Sequence, residues 1–112
     1  MKPYDIVALK LKQGGMLRTF IKDMMVSLET SKLTKDQEHI KAFIAPLYEA
    51  SKTHEYFIAT LEFIRVLMPV LAHYIGEHSY IYNLPSPNMM KRILERNGLA
   101  YDTSINGFKV KL

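Results

Sequence analysis

A 112-residue chain that is 48% hydrophobic and 23% charged has the composition of one globular domain and not that of a disordered segment. The absence of cysteine excludes disulfides and thiolate metal sites, and it is typical of a reducing compartment. The formal net charge is +4, and the basic excess lies in residues 1–33 and 84–112 while residues 34–83 are net acidic, so both terminal segments suit an anionic partner.

The first two predicted elements are helices. Residues 5–13 alternate like a strand, but Asp5 and Gly14 suit the two ends of a helix, and this favours a short helix. The N-terminal residues lack the pattern of a secretory signal, so we expect an intracellular, cytoplasmic protein. Residues 16–31 are predicted as an amphipathic core helix, because apolar side chains recur there at helical spacing: Leu17, Phe20, Ile21, Met24, Met25 and Leu28.

A third helix is predicted to follow Thr34. Thr34 and Gln37 have the spacing of a capping box, in which each side chain bonds the backbone of the other residue. Pro46 removes one backbone donor, so we expect a kink or a break near residues 42–46.

The longest predicted helix begins at Ser51 or Thr53 and runs to about Ile75. It is apolar on most of its circumference, which predicts a central helix surrounded by other elements. It does not suit a membrane span, because Glu62 and Arg65 would lie near the middle of the bilayer.

Residues 86–98 predict a capped basic helix. Ser86 is a good N-cap, Pro87 suits the first helical position, and Gly98 suits the left-handed residue beyond the C-terminus. Four apolar residues form one stripe: Met89, Met90, Ile93 and Leu94. Polar and charged residues occupy the other side: Asn88, Lys91, Arg92, Glu95 and Arg96.

The last residues predict a β-hairpin. Asn106-Gly107 is typical of a two-residue turn, which would pair Ile105 with Phe108. The same register places Lys109 and Lys111 on the outward face.

This C-terminal part resembles winged helix-turn-helix domains. The third helix of such domains commonly ends in a leucine, a few polar residues, a glycine and an apolar residue before the wing, and residues 93–99 have this form, with the wing at Asn106-Gly107. The resemblance implies DNA binding through the helix. Residues 71–76 would be the preceding helix and its turn, although residues 77–85 exceed the usual turn length. Residues 80–82 are a candidate third strand that pairs with the hairpin.

Other chemistries find little support in the sequence. The spacing of His73, Glu77 and His78 does not fit a zinc-protease helix, and Gly14-Gly15 lacks the spacing of a phosphate-binding loop. No nucleophile motif is present. We therefore expect a non-enzymatic protein without metal or cofactor.

These patterns together predict a mostly helical α+β fold. Four to five helices surround a central buried helix, and a β-hairpin wing ends the chain. Residues 1–112 form a single domain, with the helical core in residues 1–83 and the helix plus hairpin in residues 84–112.

The leading functional hypothesis is a small DNA-binding protein of winged-helix type, either a transcription regulator or a replication accessory. Arginine and asparagine can bind purine edges and lysine can contact phosphate, so the predicted DNA-binding residues are Asn88, Lys91, Arg92, Arg96, Lys109 and Lys111. The alternative is a small accessory protein, viral for example, that binds and modulates or inhibits a host or replication protein. Both hypotheses, the DNA-binding protein and the accessory protein, are compatible with a homodimer.

Overall fold

A computed structural model describes residues 3–29, 32–76 and 84–112. Five helices and three strands lie in these ranges. In chain order they are α1 (Pro3–Gln13), α2 (Met16–Ser27), α3 (Lys35–Thr53), β1 (Tyr56–Thr60), α4 (Leu61–Tyr74), α5 (Pro87–Arg96), β2 (Tyr101–Asp102) and β3 (Gly107–Lys111). The predicted fold class, mostly helical with a small C-terminal sheet, is confirmed.

The helices pack on one face of the sheet. α4 is the central helix, because it contacts α1, α5, β1 and β3 and buries five side chains. α1 packs against α4, α5 and β3, whereas α3 packs against α2 and β1. Burial of this apolar face is the main stabilising contribution, at roughly 25 cal/mol per Å² of apolar surface. The fully buried side chains of α4 are Ile64, Leu67, Met68, Leu71 and Ala72.

The sheet is antiparallel, with the order β1-β3-β2. Ala59 pairs with Phe108, and both are completely buried on the face toward the helices. Tyr56 pairs with Lys111 on the outward face. From Phe108 to Lys111 buried and exposed residues alternate along β3, which confirms the predicted orientation of the hairpin, with apolar residues inward and lysines outward.

The prediction of one long helix from about residue 53 to residue 75 is wrong at its first turns. Residues 56–60 are strand β1, and the helix begins only at Leu61. Thr60 is the N-cap, since its hydroxyl accepts a hydrogen bond from the Phe63 amide at 3.2 Å. The aromatic and β-branched residues of this segment fit both the helical and the strand periodicity, and pairing with β3 makes the segment a strand.

The predicted register of the hairpin is also wrong. Tyr101, not Ile105, lies opposite Phe108, and residues 103–106 form a longer turn. The Asp102 carboxylate stabilises this turn by accepting hydrogen bonds from the amide and the hydroxyl of Ser104, at 2.9 and 2.6 Å. The register shifts by an even number of residues, which is why the same side chains still face inward.

Gly107 has a different role from the predicted one. It lies in β3 instead of the turn, and a Cβ there would stand 2.2 Å from the carbonyl oxygen of Ala59. The absence of a side chain at this position therefore lets β1 approach β3 closely.

The remaining helical predictions are largely confirmed. Residues 3–13 are helical, and the capping box between Thr34 and Gln37 is present in both directions. The break expected near Pro46 is absent, because α3 continues to Thr53 with Ile44 and Leu47 fully buried on either side of the proline. The candidate strand at residues 80–82 lies outside the described residues.

Candidate nucleic-acid interface

Two contacts fix the start of α5. The Ser86 hydroxyl accepts a hydrogen bond from the Met89 amide at 3.2 Å, which confirms the predicted cap. Arg65 of α4 donates to the Pro85 carbonyl at 2.8 Å and so ties the entry of α5 to the central helix. Because the buried residues of α5 are Met90, Ile93 and Leu94, the opposite side of this helix faces solvent.

Asn88, Arg92 and Glu95 lie along the centre of that solvent-facing side, at successive helical turns, and all three are exposed. No hydrogen bond, ion pair or ring contact engages Arg92 within the described residues. Its guanidinium is thus available to an external partner. Glu95 introduces one negative charge beside it.

Arg96 is held by another part of the chain. Its Nε and Nη2 atoms donate to the two carboxylate oxygens of Asp5 in α1, at 2.7 and 2.6 Å. Asn97 adds a third hydrogen bond to the same carboxylate at 2.8 Å. Asp5 is only 8% exposed, so this bidentate pair joins α1 to the C-terminal end of α5.

The Asp5 carboxylate also affects the protonation of its partner. Its hydrogen bonds raise the pKa of the Arg96 guanidinium above the ordinary value, with a smaller contribution from its negative charge. The charge of Arg96 is therefore permanent and already neutralised within the molecule.

Lys91 lies on the hairpin side of α5. Its ammonium group is 3.9 Å from the centre of the Tyr101 ring, a cation–π contact between α5 and β2. Tyr101 in turn packs edge-on against Phe108, with ring centres 5.5 Å apart, and donates a hydrogen bond to the Asn106 side chain. Lys91 is thus positioned beside the hairpin.

Lys109 and Lys111 lie on the outward face of the sheet, as predicted. The ammonium of Lys109 is 4.5 Å from the centre of the Tyr56 ring. Both lysines line a cleft of about 420 Å³ to which Lys12 of α1 also contributes. Lys12 is missing from the sequence-based set, and no local pattern at residues 5–13 distinguishes it from an ordinary solvated lysine.

The structure therefore divides the six predicted DNA-binding residues into two groups. Four lie on α5, and one of these, Arg96, is committed to an intramolecular ion pair. The other two lie on the outward face of β3. A ligand that spans both groups must contact the helix and the hairpin together.

The described residues contain neither a membrane-spanning helix nor a cluster of metal ligands. Among the described residues, no helix has both the length and the apolar character of a membrane span. No three His, Asp or Glu side chains come together as a metal site within the same ranges. Glu77 and His78, whose spacing was compared with that of zinc proteases, lie outside them.

Comparison with known proteins adds no family to these observations. No protein-family model, no curated protein and no solved structure matches the chain.

Proposed function

We propose that this protein binds duplex DNA with α5 and the β2–β3 hairpin, as a transcription regulator or a replication accessory in the cytoplasm. The observation that carries the proposal is the exposed pair Asn88 and Arg92 on α5. These side chains face solvent one helical turn apart, and Lys91 stands between them and the hairpin. Arginine and asparagine form bidentate contacts with purine edges in the major groove.

The arrangement of elements supports a winged-helix type of binding. The two helices α4 and α5 precede the hairpin, and a further strand pairs with its second strand, as the sequence resemblance implies. That strand is β1. Because fold resemblance alone does not establish function, the exposed α5 side chains remain the main support.

Individual roles follow from the contacts. Asn88 and Arg92 are assigned to base edges, and Lys91 is assigned to a phosphate beside the hairpin. Lys109 and Lys111 retain their predicted assignment to phosphate. Arg96 is assigned a structural role, since a guanidinium that already binds both oxygens of Asp5 has to break two charge-assisted hydrogen bonds before it can contact DNA.

The test is a salt-dependent binding measurement with a pool of randomised duplexes, followed by selection of the tightest sequences. Wild-type affinity should fall steeply with ionic strength, because contacts to phosphate release counterions. Lys91→Ala should reduce the slope of log K against log salt by about 1. Lys41→Ala is the matched control, since Lys41 is an exposed lysine on α3, remote in sequence from α5. Equal slopes for wild type and Lys91→Ala would contradict the assignment.

A protein partner is the second candidate, and one observation favours it. Leu84 and Met89, beside and within the start of α5, are 40% and 43% exposed, which is apolar surface suited to a protein interface. An accessory protein, viral for example, that modulates a host or replication protein would use such a surface. The affinity of such a complex should depend little on salt concentration, unlike the affinity for DNA.

Light scattering across a concentration series tests the expected homodimer.

A further inference from the structure

The cleft beside Lys12 arises where β3 continues past β2. β2 pairs with β3 only at Tyr101 and Asp102, so residues 98–100 leave the last residues of β3 uncovered on that side. The end of α1 closes the cleft, whose volume is about 420 Å³. Its polar and aromatic lining residues are Lys12, Tyr56, Lys109 and Lys111, and none of its lining residues is acidic.

Each of the three lysines contacts a different part of the chain. The stem of Lys111 lies against Gly14, where a Cβ would stand 2.6 Å from the lysine Cδ. The stem of Lys12 lies against Gly98, where a Cβ would stand 3.4 Å from the lysine Cε. Lys109 is held over the Tyr56 ring. A contact that restricts a lysine stem before binding reduces the conformational entropy that the side chain loses when its ammonium group binds a ligand.

None of these three lysines forms an ion pair within the described residues. The two ion pairs found there, Lys52 with Glu49 and Arg96 with Asp5, lie elsewhere. Three like charges that line one concave surface give it a positive potential. Such a surface favours an anionic ligand.

We propose that this cleft is a binding site for a phosphate group. Lysine donates up to three hydrogen bonds from a compact charge, which suits the oxygens of a phosphate. The volume lies at the lower end of the range for small-molecule pockets, about 300 to 1,000 Å³, and so admits a nucleotide-sized ligand. The site shares Lys109 and Lys111 with the proposed duplex interface, and it extends beyond that interface because it adds Lys12 and Tyr56 and contains none of the solvent-facing residues of α5.

A phosphate group can come from a free phosphomonoester or from the phosphodiester backbone of a nucleic-acid strand. The experiment is an amide chemical-shift titration of the full chain at constant ionic strength. Three ligands are compared: inorganic phosphate, a nucleoside monophosphate, and a short single-stranded oligonucleotide without a terminal phosphate. Tighter binding of the monophosphate identifies a phosphomonoester site, and tighter binding of the oligonucleotide identifies a backbone site.

In the wild type, the amides of Gly14, Gly98 and Lys111 should shift together and saturate with at least one ligand. Lys12→Gln and Lys111→Gln should each weaken that binding roughly tenfold, because each removes a charge-assisted hydrogen bond. Lys41→Gln should leave it unchanged. The proposal is overturned by shifts that do not saturate, or by a loss that is equal in the Lys41 control. Dispersed spectra of every variant verify folding.

Arg92→Ala separates this site from the proposed duplex interface. It should weaken duplex binding roughly 5- to 150-fold and relax selectivity at the contacted base pair, and it should leave phosphate binding in the cleft unchanged. Duplex binding without any cleft binding overturns only the present proposal, and cleft binding without duplex binding overturns only the proposed function. Loss of both in Arg92→Ala, in a folded protein, shows that the cleft is not an independent site.

Discussion

Arg92 and Arg96 lie one turn apart on α5, yet the structure predicts opposite consequences of removing them. Arg92 is exposed and has no partner in the described residues, so Arg92→Ala removes only a group that is available to DNA. A base-contacting arginine contributes ~1–3 kcal/mol, which corresponds to roughly 5- to 150-fold in affinity. The change should also relax sequence selectivity at the contacted base pair. The free energy of unfolding should change by less than about 0.5 kcal/mol.

Arg96→Ala should act on the fold instead. It leaves the Asp5 carboxylate, with its side chain only 11% exposed, without the two hydrogen bonds that neutralise it. A buried charge that loses its partner destabilises the protein, so Tm should fall. Duplex affinity, measured well below Tm where the variant is folded, should stay close to that of the wild type.

The assay measures fluorescence anisotropy on a selected duplex together with thermal unfolding for both single variants. Asp5→Asn provides the matched control, because it should lower Tm like Arg96→Ala although it lies on α1. The assigned division of roles between the two arginines is refuted if fully folded Arg96→Ala weakens duplex binding as much as Arg92→Ala does. It is equally refuted if Arg92→Ala leaves affinity unchanged.

Three further predictions concern single side chains. Glu95→Gln should tighten duplex binding, because it removes a negative charge from the solvent-facing side of α5. A binding titration at two salt concentrations checks this. An unchanged affinity argues against contact between this side of α5 and phosphate. Thr60→Ala should lower the free energy of unfolding, measured in urea, by about 1 kcal/mol because α4 loses its N-cap. Thr60→Ser should retain most of that stabilisation because serine keeps the hydroxyl. Hydrogen bonds from Ser104 hold the pKa of Asp102 below its ordinary value. The ionised carboxylate therefore stabilises the hairpin at neutral pH, and this stabilisation is lost as the pH falls through the lowered pKa. The difference in Tm between wild type and Asp102→Asn should therefore shrink from neutral pH to about pH 2.5, and a constant difference contradicts the assignment.

The sequence by itself determined the features that depend on near neighbours. The caps at Thr34 and Ser86, the apolar stripe of α5 and the outward direction of Lys109 all follow from spacings of one to four residues. Such spacings fix which side of a helix or strand a residue occupies, whatever that side later packs against. This is why the fold class and the exposed side of α5 could be predicted.

Only the tertiary structure decided which distant groups meet. Residues 56–60 satisfy both helical and strand periodicity, and β3 selects the strand because it provides a partner for the β1 backbone. The pair between Arg96 and Asp5 joins positions 91 residues apart, and the contact of Lys12 with Gly98 is equally non-local. No spacing along the chain encodes such contacts, because they depend on how whole elements pack around α4. The local pattern therefore showed where positive charge lies, and the packing showed which of those charges are free to bind.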